Sequence, residues 1–456
     1  MTTEKKYLKW YHKVAYGSGD LAANCTFALI SSFMLIYLTN TVGLNSAIVG
    51  TLMMVSKMLD GVSDVFFGTL IDRTKSKMGK ARPWMLYSQI GVSLCLFLVF
   101  AIPDTSQTIQ YAYFFVFYTA LNAVFYTANN IAYASLTALI TKNANERVQV
   151  GSIRFMFALA TNITVASVAM GMVQAFGGGA SGWRSVAFIF ACIGLVINTI
   201  SCLMVKEIPE EDVQTDNKTS EQKISLLQSA KYLVANKYYI IILLFYICMY
   251  GLNGITQGVG VYFMTYILGD VSLLGTFSMM GMFPMIIALA LTPVLVKKFN
   301  SMWKINTVGY ALSSVLGVVS IYAALTLNVP LMLGLAFAKG LCTGPTTGTL
   351  NALIAEASGY TYRTKKVRLD GTMYSCSSMG IKLGGGIGSA VCGWLLNAGG
   401  YDGMAATQSQ SALSMITIMY VIIPFVLGII MTILIAALKV EKANQDWDKE
   451  HGVTNA

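Results

Sequence analysis

Ser46-Ala-Ile-Val-Gly-Thr-Leu-Met-Met-Val-Ser-Lys-Met-Leu-Asp-Gly-Val-Ser-Asp-Val-Phe-Phe-Gly-Thr-Leu-Ile71 is the stretch that decides the fold. It exceeds the ~20 apolar residues that cross a ~30 Å hydrocarbon layer as a helix, yet it holds Lys57, Asp60 and Asp64. In lipid a segment must satisfy its own backbone hydrogen bonds, so the run is a helix. Its charges, at i, i+3 and i+7, share one helical face within two turns. Charges on one face of a membrane helix need a polar cavity or a partner, which only a bundle of helices supplies.

The same apolar pattern recurs along the chain. Of 456 residues 55% are hydrophobic and only 11% charged, against roughly a quarter charged in soluble proteins, too few to coat a water-facing surface. Apolar runs at 14–39, 46–71, 83–102, 109–140, 149–175, 183–205, 238–268, 272–296, 303–324, 329–354, 371–397 and 411–438 predict an all-α membrane protein of twelve transmembrane helices. The first run follows a basic stretch but is too long for a signal peptide, contains Asp20 and lacks a small-residue cleavage site, so it is expected to stay.

A net charge of +10 raises the question of nucleic acid, and its placement answers against it. Lys and Arg gather in alternate loops: Lys5, Lys6, Lys9 and Lys13; Arg73, Lys75, Lys77, Lys80 and Arg82; Lys142 and Arg147; Lys206, Lys218, Lys223, Lys231 and Lys237; Lys297, Lys298 and Lys304; Arg363, Lys365, Lys366 and Arg368; Lys439, Lys442 and Lys449. Basic loops mark the cytoplasmic side, so both termini are expected there, in a multi-pass protein of the cell inner (plasma) membrane. The partner is the lipid bilayer rather than nucleic acid. The eight cysteines lie singly in apolar segments without metal-ligand spacing and read as packing residues.

The polar run Glu207-Ile-Pro-Glu-Glu-Asp-Val-Gln-Thr-Asp216 divides the helices six and six. The expected organisation is a cytoplasmic N-terminus (1–13), an N-terminal six-helix bundle (14–206), a cytoplasmic central loop (207–237), a C-terminal six-helix bundle (238–438) and a cytoplasmic tail (439–456). Weak internal echoes support a repeat: Gly68 to Gly79 after the second helix against a loop holding Pro293, Lys297 and Lys298, and Glu146, Arg147 and Arg154 after the fourth helix against Glu356, Arg363 and Arg368 after the tenth. Two such halves are the plan of the major facilitator fold, with a substrate site between them.

Asp20, Lys57, Asp60, Asp64, Arg154, Lys339 and Lys382 fall inside the apolar runs, each costing about 3 kcal/mol if it faced lipid. The alternative to a functional cavity is a set of structural ion pairs, and Lys339, alone in its helix, fits that reading best. Asp60 and Asp64 resist joint ionisation, and a proton or small cation relieves the repulsion. The doublet with Lys57 thus forms a switch whose charge state opposes or permits closure of a dry cavity. Asp20 and Asn24, one turn apart, are suited to sugar hydroxyls, because one carboxylate accepts from two neighbouring hydroxyls; a helix-packing hydrogen bond is the other reading. Asn129, Asn130 and Tyr133 on the fourth helix, and Asn253, Gln257 and Tyr262 on the seventh, add amides and rings. Leu383-Gly-Gly-Gly386 permits close helix approach or bending. The histidines, His12 and His451, lie in the chain ends, and no P-loop is present. No enzymatic activity, ATP-driven transport or organic cofactor is expected.

Tyr16-Gly-Ser-Gly-Asp20, Asp60-Gly-Val-Ser-Asp64 with Gly68, Asp72-Arg-Thr74 and Gly79-Lys-Ala-Arg-Pro-Trp84, and Gly371-Thr-Met-Tyr-Ser375 with Lys382-Leu-Gly-Gly385 resemble the motifs of the glycoside-pentoside-hexuronide:cation symporters, the melibiose permease-like family of the major facilitator superfamily. The resemblance extends over all twelve predicted helices. It implies a secondary active symporter importing a sugar or glycoside with Na⁺ or H⁺ by alternating access, functional as a monomer. Asp60 and Asp64 are then the ligands of the coupling ion, a metal site if that ion is Na⁺, with Ser63 and Thr127 adding oxygens, and Asp20, Arg154 and Lys382 face the sugar. Two departures concern the substrate: the melibiose-type pattern has Asp and Trp where this chain has Asn130 and Ala134, and Lys where it has Gly19. Arg154 and Lys382 without a carboxylate at 130 allow a hexuronide, and a neutral pentoside fits as well. A carrier of lysolipid or another amphiphile, or a non-transporting membrane sensor, are the competing readings.

Overall fold

The computed structural model describes residues 6–208, 226–367, 370–405 and 407–451, and among them there is helix and no strand. In chain order the helices are α1 (Trp10–Gly17), α2 (Gly19–Ile36), α3 (Ser46–Arg73), α4 (Arg82–Val99), α5 (Gln107–Thr119), α6 (Thr127–Ile140), α7 (Ala144–Ala175), α8 (Gly179–Leu203), α9 (Leu226–Ala235), α10 (Lys237–Tyr262), α11 (Leu273–Phe299), α12 (Met302–Leu325), α13 (Val329–Lys365), α14 (Asp370–Met373), α15 (Ser375–Ala398), α16 (Gln410–Thr417), α17 (Ile423–Ala437) and α18 (Val440–Glu450). Wide π turns at Tyr37–Thr41, Ala120–Tyr126, Phe263–Ile267 and Ile418–Ile422 continue α2, α5, α10 and α16. Most of the expected central loop, with Lys218 and Lys223, lies outside the described residues, as do Lys5 and Arg368.

Among the described residues eight helical runs are long and apolar enough to cross a membrane. The remaining predicted spans fall on α3, α4, α5–α6 and α13, where polar residues interrupt the apolar sequence. Two expectations about loops are corrected. Pro293 lies inside α11 and Lys297 and Lys298 form its last turn, and α13 runs on to Lys365, so Glu356 and Arg363 are helical. The extension of α13 has a physical cause: α18 packs along it, with Arg363 Nε and Nη2 donating to the Asp448 carboxylate at 2.8 and 2.9 Å and Asn444 donating to Glu356 at 2.7 Å.

The helices pack as two compact units, Met1–Lys218 with Gln257–Gly275 and Ser389–Leu413, and Thr219–Thr256 with Thr276–Gly388 and Ser414–Ala456. In the first unit α2, α7 and α8 pack together, as do α3, α4, α5 and α6, and Tyr16, Met85, Tyr133, Leu136 and Val150 are buried in one cluster. Side chains bind the late segments into this unit: Thr39 Oγ1 lies 2.9 Å from Tyr262 Oη, Asn40 Nδ2 donates to Tyr266 at 2.7 Å, and Tyr401 donates to Asn40 at 2.7 Å. Asn45 donates to Asn397 at 2.7 Å and Trp394 to Thr51 at 2.9 Å. In the second unit Phe245, Tyr310, Leu353 and Ile435 form the core. There a Cβ on Gly384 or Gly388 would strike the carbonyl oxygens of Ile247 and Gly251, so the glycine run does permit α15 to approach α10 backbone to backbone.

The ends of the helices show a repeat. Glu207, just beyond α8, accepts from the backbone N–H groups of Lys80, Ala81 and Arg82 at 2.7, 2.9 and 3.0 Å, capping α4. Glu441, just beyond α17, accepts from Met302 and Trp303 at 3.0 and 2.8 Å, capping α12. A carboxylate satisfies the orphan donors of a helix start and meets the positive end of its dipole. Gly79 makes room for the first of these caps: its φ is 107°, and a Cβ there would overlap the Glu207 carboxylate.

Candidate functional site

Three helices of the first unit converge on Asp20. Tyr16, Asp20 and Asn24 follow one another by single turns along α1–α2, Tyr133 and Thr137 do so on α6, and Arg154 and Asn162 lie two turns apart on α7. Arg154 Nε donates to Asp20 Oδ2 at 2.6 Å, with 21% of the arginine and 16% of the aspartate side chain exposed, so the pair is sheltered but reachable. Tyr133 Oη lies 3.1 Å from the same Oδ2 and 2.8 Å from the Tyr16 carbonyl. The guanidinium lies 4.1 Å over the Tyr133 ring and donates to Thr137 Oγ1 at 3.1 Å. Tyr16 Oη donates to the Tyr133 carbonyl and lies 2.8 Å from Thr137 Oγ1. The consequence for Asp20 is asymmetric: Oδ2 accepts from Arg154 and shares the single Tyr133 proton with the Tyr16 carbonyl, and Oδ1 has no protein donor on it among the described residues. A carboxylate oxygen with open lone pairs is available to accept from water or a ligand.

The other sugar-side candidates are placed differently. Asn24 donates to the Asp20 carbonyl at 2.7 Å and accepts from Asn162 at 2.8 Å, so its amide serves helix packing. Tyr133 is buried, one ring face against Arg154, whereas Asn130 is exposed. Gln257 belongs to the first unit, on the last turns of α10; Asn253 and Lys382 belong to the second, on α10 and α15. Lys339, also of the second unit, is half-buried on α13 and its ammonium has no partner among the described residues. Gly19 leaves no room for a side chain: a Cβ there would be 2.7 Å from the Tyr133 ring and 2.8 Å from Ser201 Oγ.

At α3, Thr127 Oγ1 donates to Asp60 Oδ1, so an oxygen from α6 meets the carboxylate. The same hydroxyl lies 2.9 Å from the Asn122 carbonyl inside the π turn, where the wide helical turn carries the carbonyl out of the ordinary ladder. Ser63 Oγ donates to the Asp60 carbonyl at 2.9 Å. Lys57 Nζ lies 5.7 Å over the Phe27 ring of α2, a cation–π placement. Asp64 is half-buried one turn beyond Asp60.

A family model described as MFS/sugar transport protein matches residues 15–442. The chain belongs to that family. It is a multi-pass sugar transporter of the major facilitator fold, and not an enzyme. The transporter is 32% identical, over 99% of its own length and 94% of the other's, to the isoprimeverose transporter of Lactiplantibacillus pentosus. It is 27% identical, over 94% and 92%, to the putative glycoside/cation symporter YagG of Escherichia coli (strain K12). Its fold matches that of a bacterial homologue of the human lysosomal transporter Spinster in an inward-facing and occupied conformation, with a TM-score of 0.69 at 13% identity, over 95% of this chain and 97% of that one.

Charge in an apolar run was sufficient to single out Asp20, Lys57, Asp60, Asp64 and Arg154. Thr137 and Asn162, which hold Arg154 and Asn24, escape that test because neutral polar residues are common in membrane helices. Helical spacing carried their signal: Thr137 is one turn from Tyr133, and Asn162 two turns from Arg154.

Proposed function

We propose that the transporter is a secondary active symporter that imports a neutral glycoside with Na⁺ or H⁺ by alternating access, through twelve membrane helices arranged as two six-helix halves with both termini in the cytoplasm of the inner membrane. In this reading Asp60 and Asp64, with Ser63 and Thr127, bind the coupling ion, Lys57 competes for Asp60 when the site is empty, and Asp20 and Arg154 meet the sugar, with Asn130 and Gln257 of the same unit near it. The observation that carries the sugar assignment is the open Oδ1 of an Asp20 whose Oδ2 is gripped by Arg154. A carboxylate fixed in orientation and still accepting is what a hydroxyl-rich ligand needs.

The same pair bears on the charge of the substrate. With Arg154 committed to Asp20 and to the Tyr133 face, the local charges cancel, which favours a neutral glycoside over a hexuronide. Isoprimeverose, from the name of a relative 32% identical to this chain, is the first compound to test.

Thr127 supplies a mechanism for the coupling site. Its one proton has two acceptors, Asp60 Oδ1 and the Asn122 carbonyl. With the site empty the proton goes to the charged carboxylate; when a cation binds Asp60, the proton turns to Asn122 and the hydroxyl oxygen becomes a ligand. Coupling is tested by sugar-driven Na⁺ uptake or alkalinisation in vesicles of the full-length protein, with Asp60→Asn and Asp64→Asn. Both variants are expected to lose coupled uptake at least a hundredfold; uptake that persists in both would show that the doublet is not the ion site.

A further inference from the structure

A cavity of about 280 Å³ lies wholly within the first unit, walled by the start of α3, the first turns of α5 and the turn 401–404 beyond α15. Its size is close to the lower end of the roughly 300–1,000 Å³ typical of small-molecule sites. At 1.5 Å per residue its Ser46 is roughly 21 Å along α3 from Asp60, and its Thr39 roughly 28 Å along α2 from Asp20. The cavity is therefore separate from both sites described above. Its polar groups are largely uncommitted. Ser46 is buried, at 4% exposure, and lines the cavity with a hydroxyl that has no hydrogen-bond partner among the described residues. A buried hydroxyl is rarely left so, because desolvating it without a hydrogen bond is unfavourable. Tyr111 Oη accepts from the Asn45 N–H at 2.8 Å, and its own proton has no acceptor among the described residues. Asp402 Oδ1 accepts from the Met404 N–H at 3.0 Å, and Oδ2 has no donor among them. The walls are held in place without a ligand. A Cβ on Gly403 would strike the Thr39 carbonyl oxygen, Tyr401 donates to Asn40 at 2.7 Å, and Gln408 donates to the Asp402 carbonyl at 2.6 Å.

We propose that this cavity is an outer encounter site, which binds a neutral sugar before it reaches Asp20. An open carboxylate oxygen, a tyrosine proton and a serine hydroxyl that both donates and accepts match the mixed demands of neighbouring sugar hydroxyls. Tyr111 and Tyr401 add aromatic rings to the lining, which suit the apolar faces of a sugar ring. Asp402 disfavours an anion, and one carboxylate among neutral oxygens is a poor site for a divalent cation. With both termini in the cytoplasm α2 runs outward, so the cavity opens at the outer end. That direction, though not the binding itself, rests on the import reading made above.

The test follows binding of isoprimeverose to the purified full chain by saturation-transfer NMR, in an Asp20→Asn background that removes the inner site. Weak, saturable binding is expected to remain. Adding Ser46→Ala, or Asp402→Asn, which keeps an oxygen for the Met404 N–H, should weaken it about three- to tenfold, the worth of one net hydrogen bond. Loss of all binding with Asp20→Asn overturns the outer site and leaves the Asp20 assignment standing. Binding that survives Asp20→Asn but ignores both cavity substitutions overturns the outer site, and at undiminished affinity it overturns the Asp20 assignment as well. If Asp20→Asn does not fold, Gln107→Cys on the exposed rim decides. Isoprimeverose should slow its modification by a membrane-impermeant maleimide added outside, and Asp402→Asn should abolish that protection. Equal labelling with and without the sugar overturns the proposal.

Discussion

Asp20 and Arg154 neutralise each other at 2.6 Å while about a fifth of each side chain still meets solvent, so the pair supports the fold and remains open to a ligand. Breaking a fully buried pair costs about 3–5 kcal/mol because the surviving charge is stranded; the exposure here reduces that to about 1–3 kcal/mol. Asp20→Asn is therefore expected to lower the melting temperature and abolish glycoside binding while leaving ion binding measurable. Adding Arg154→Met removes the stranded guanidinium and should return part of the lost stability but none of the binding, as calorimetry of the two variants would register. A double variant no more stable than Asp20→Asn would mean that the two charges are not an electrostatic unit. At this scale the sequence was informative about ionised residues, because each carries a penalty that demands a reason. It marked Thr137 only by its one-turn spacing from Tyr133, since a hydroxyl is equally at home on its own helix, and it was silent about the direction in which Asn24 turns its amide.

The helix ends depend on carboxylates that arrive from elsewhere in the chain. Glu207 and Glu441 each follow the last long helix before them and cap the start of α4 and α12, so an equivalent contact recurs in the two parts of the sequence. Loss of a cap costs about 1–2 kcal/mol. Glu207→Ala and Glu441→Ala should each lower the unfolding temperature by a similar amount, and Gly79→Ala should lower it by at least as much as Glu207→Ala, since its Cβ occupies the carboxylate's place and a φ of 107° strains any side chain. A Gly79→Ala protein as stable as the original would refute that account. The motif Gly79-Lys-Ala-Arg-Pro-Trp84 was visible in the sequence, but its reason was not. The glycine answers to a residue far along the chain, and local pattern has no access to such a partner. The loop expected around Pro293, Lys297 and Lys298 failed for a related reason: charged residues at a helix end look the same whether the helix stops before them or carries them in its last turn.

For the molecule as a whole, the contacts that bind segments 257–275 and 389–413 to the first unit run through Thr39, Asn40, Tyr262, Tyr266 and Tyr401. The alternating access proposed above would require such contacts to break and re-form, so each is expected to be individually modest. Asn40→Ala removes an amide that serves two of the tyrosines; backbone amide exchange over the π turns 37–41 and 263–267 should then quicken several-fold, and exchange unchanged from the original would show that the network does not hold these ends. The amino-acid sequence by itself determined that this chain is built of membrane helices and which runs would be helical, and it singled out the ionised side chains that hydrocarbon penalises. Those follow from the cost of placing backbone and charge in hydrocarbon, a cost paid residue by residue. Only the tertiary structure decided that Arg154 grips Asp20 and leaves Oδ1 open, that the Thr127 hydroxyl lies between Asp60 and the Asn122 carbonyl, and that the late segments join the first unit. Such contacts depend on how helices distant in sequence are rotated and offset against each other, and hydrogen-bond geometry resolves differences of a few tenths of an ångström that no periodicity along one helix encodes.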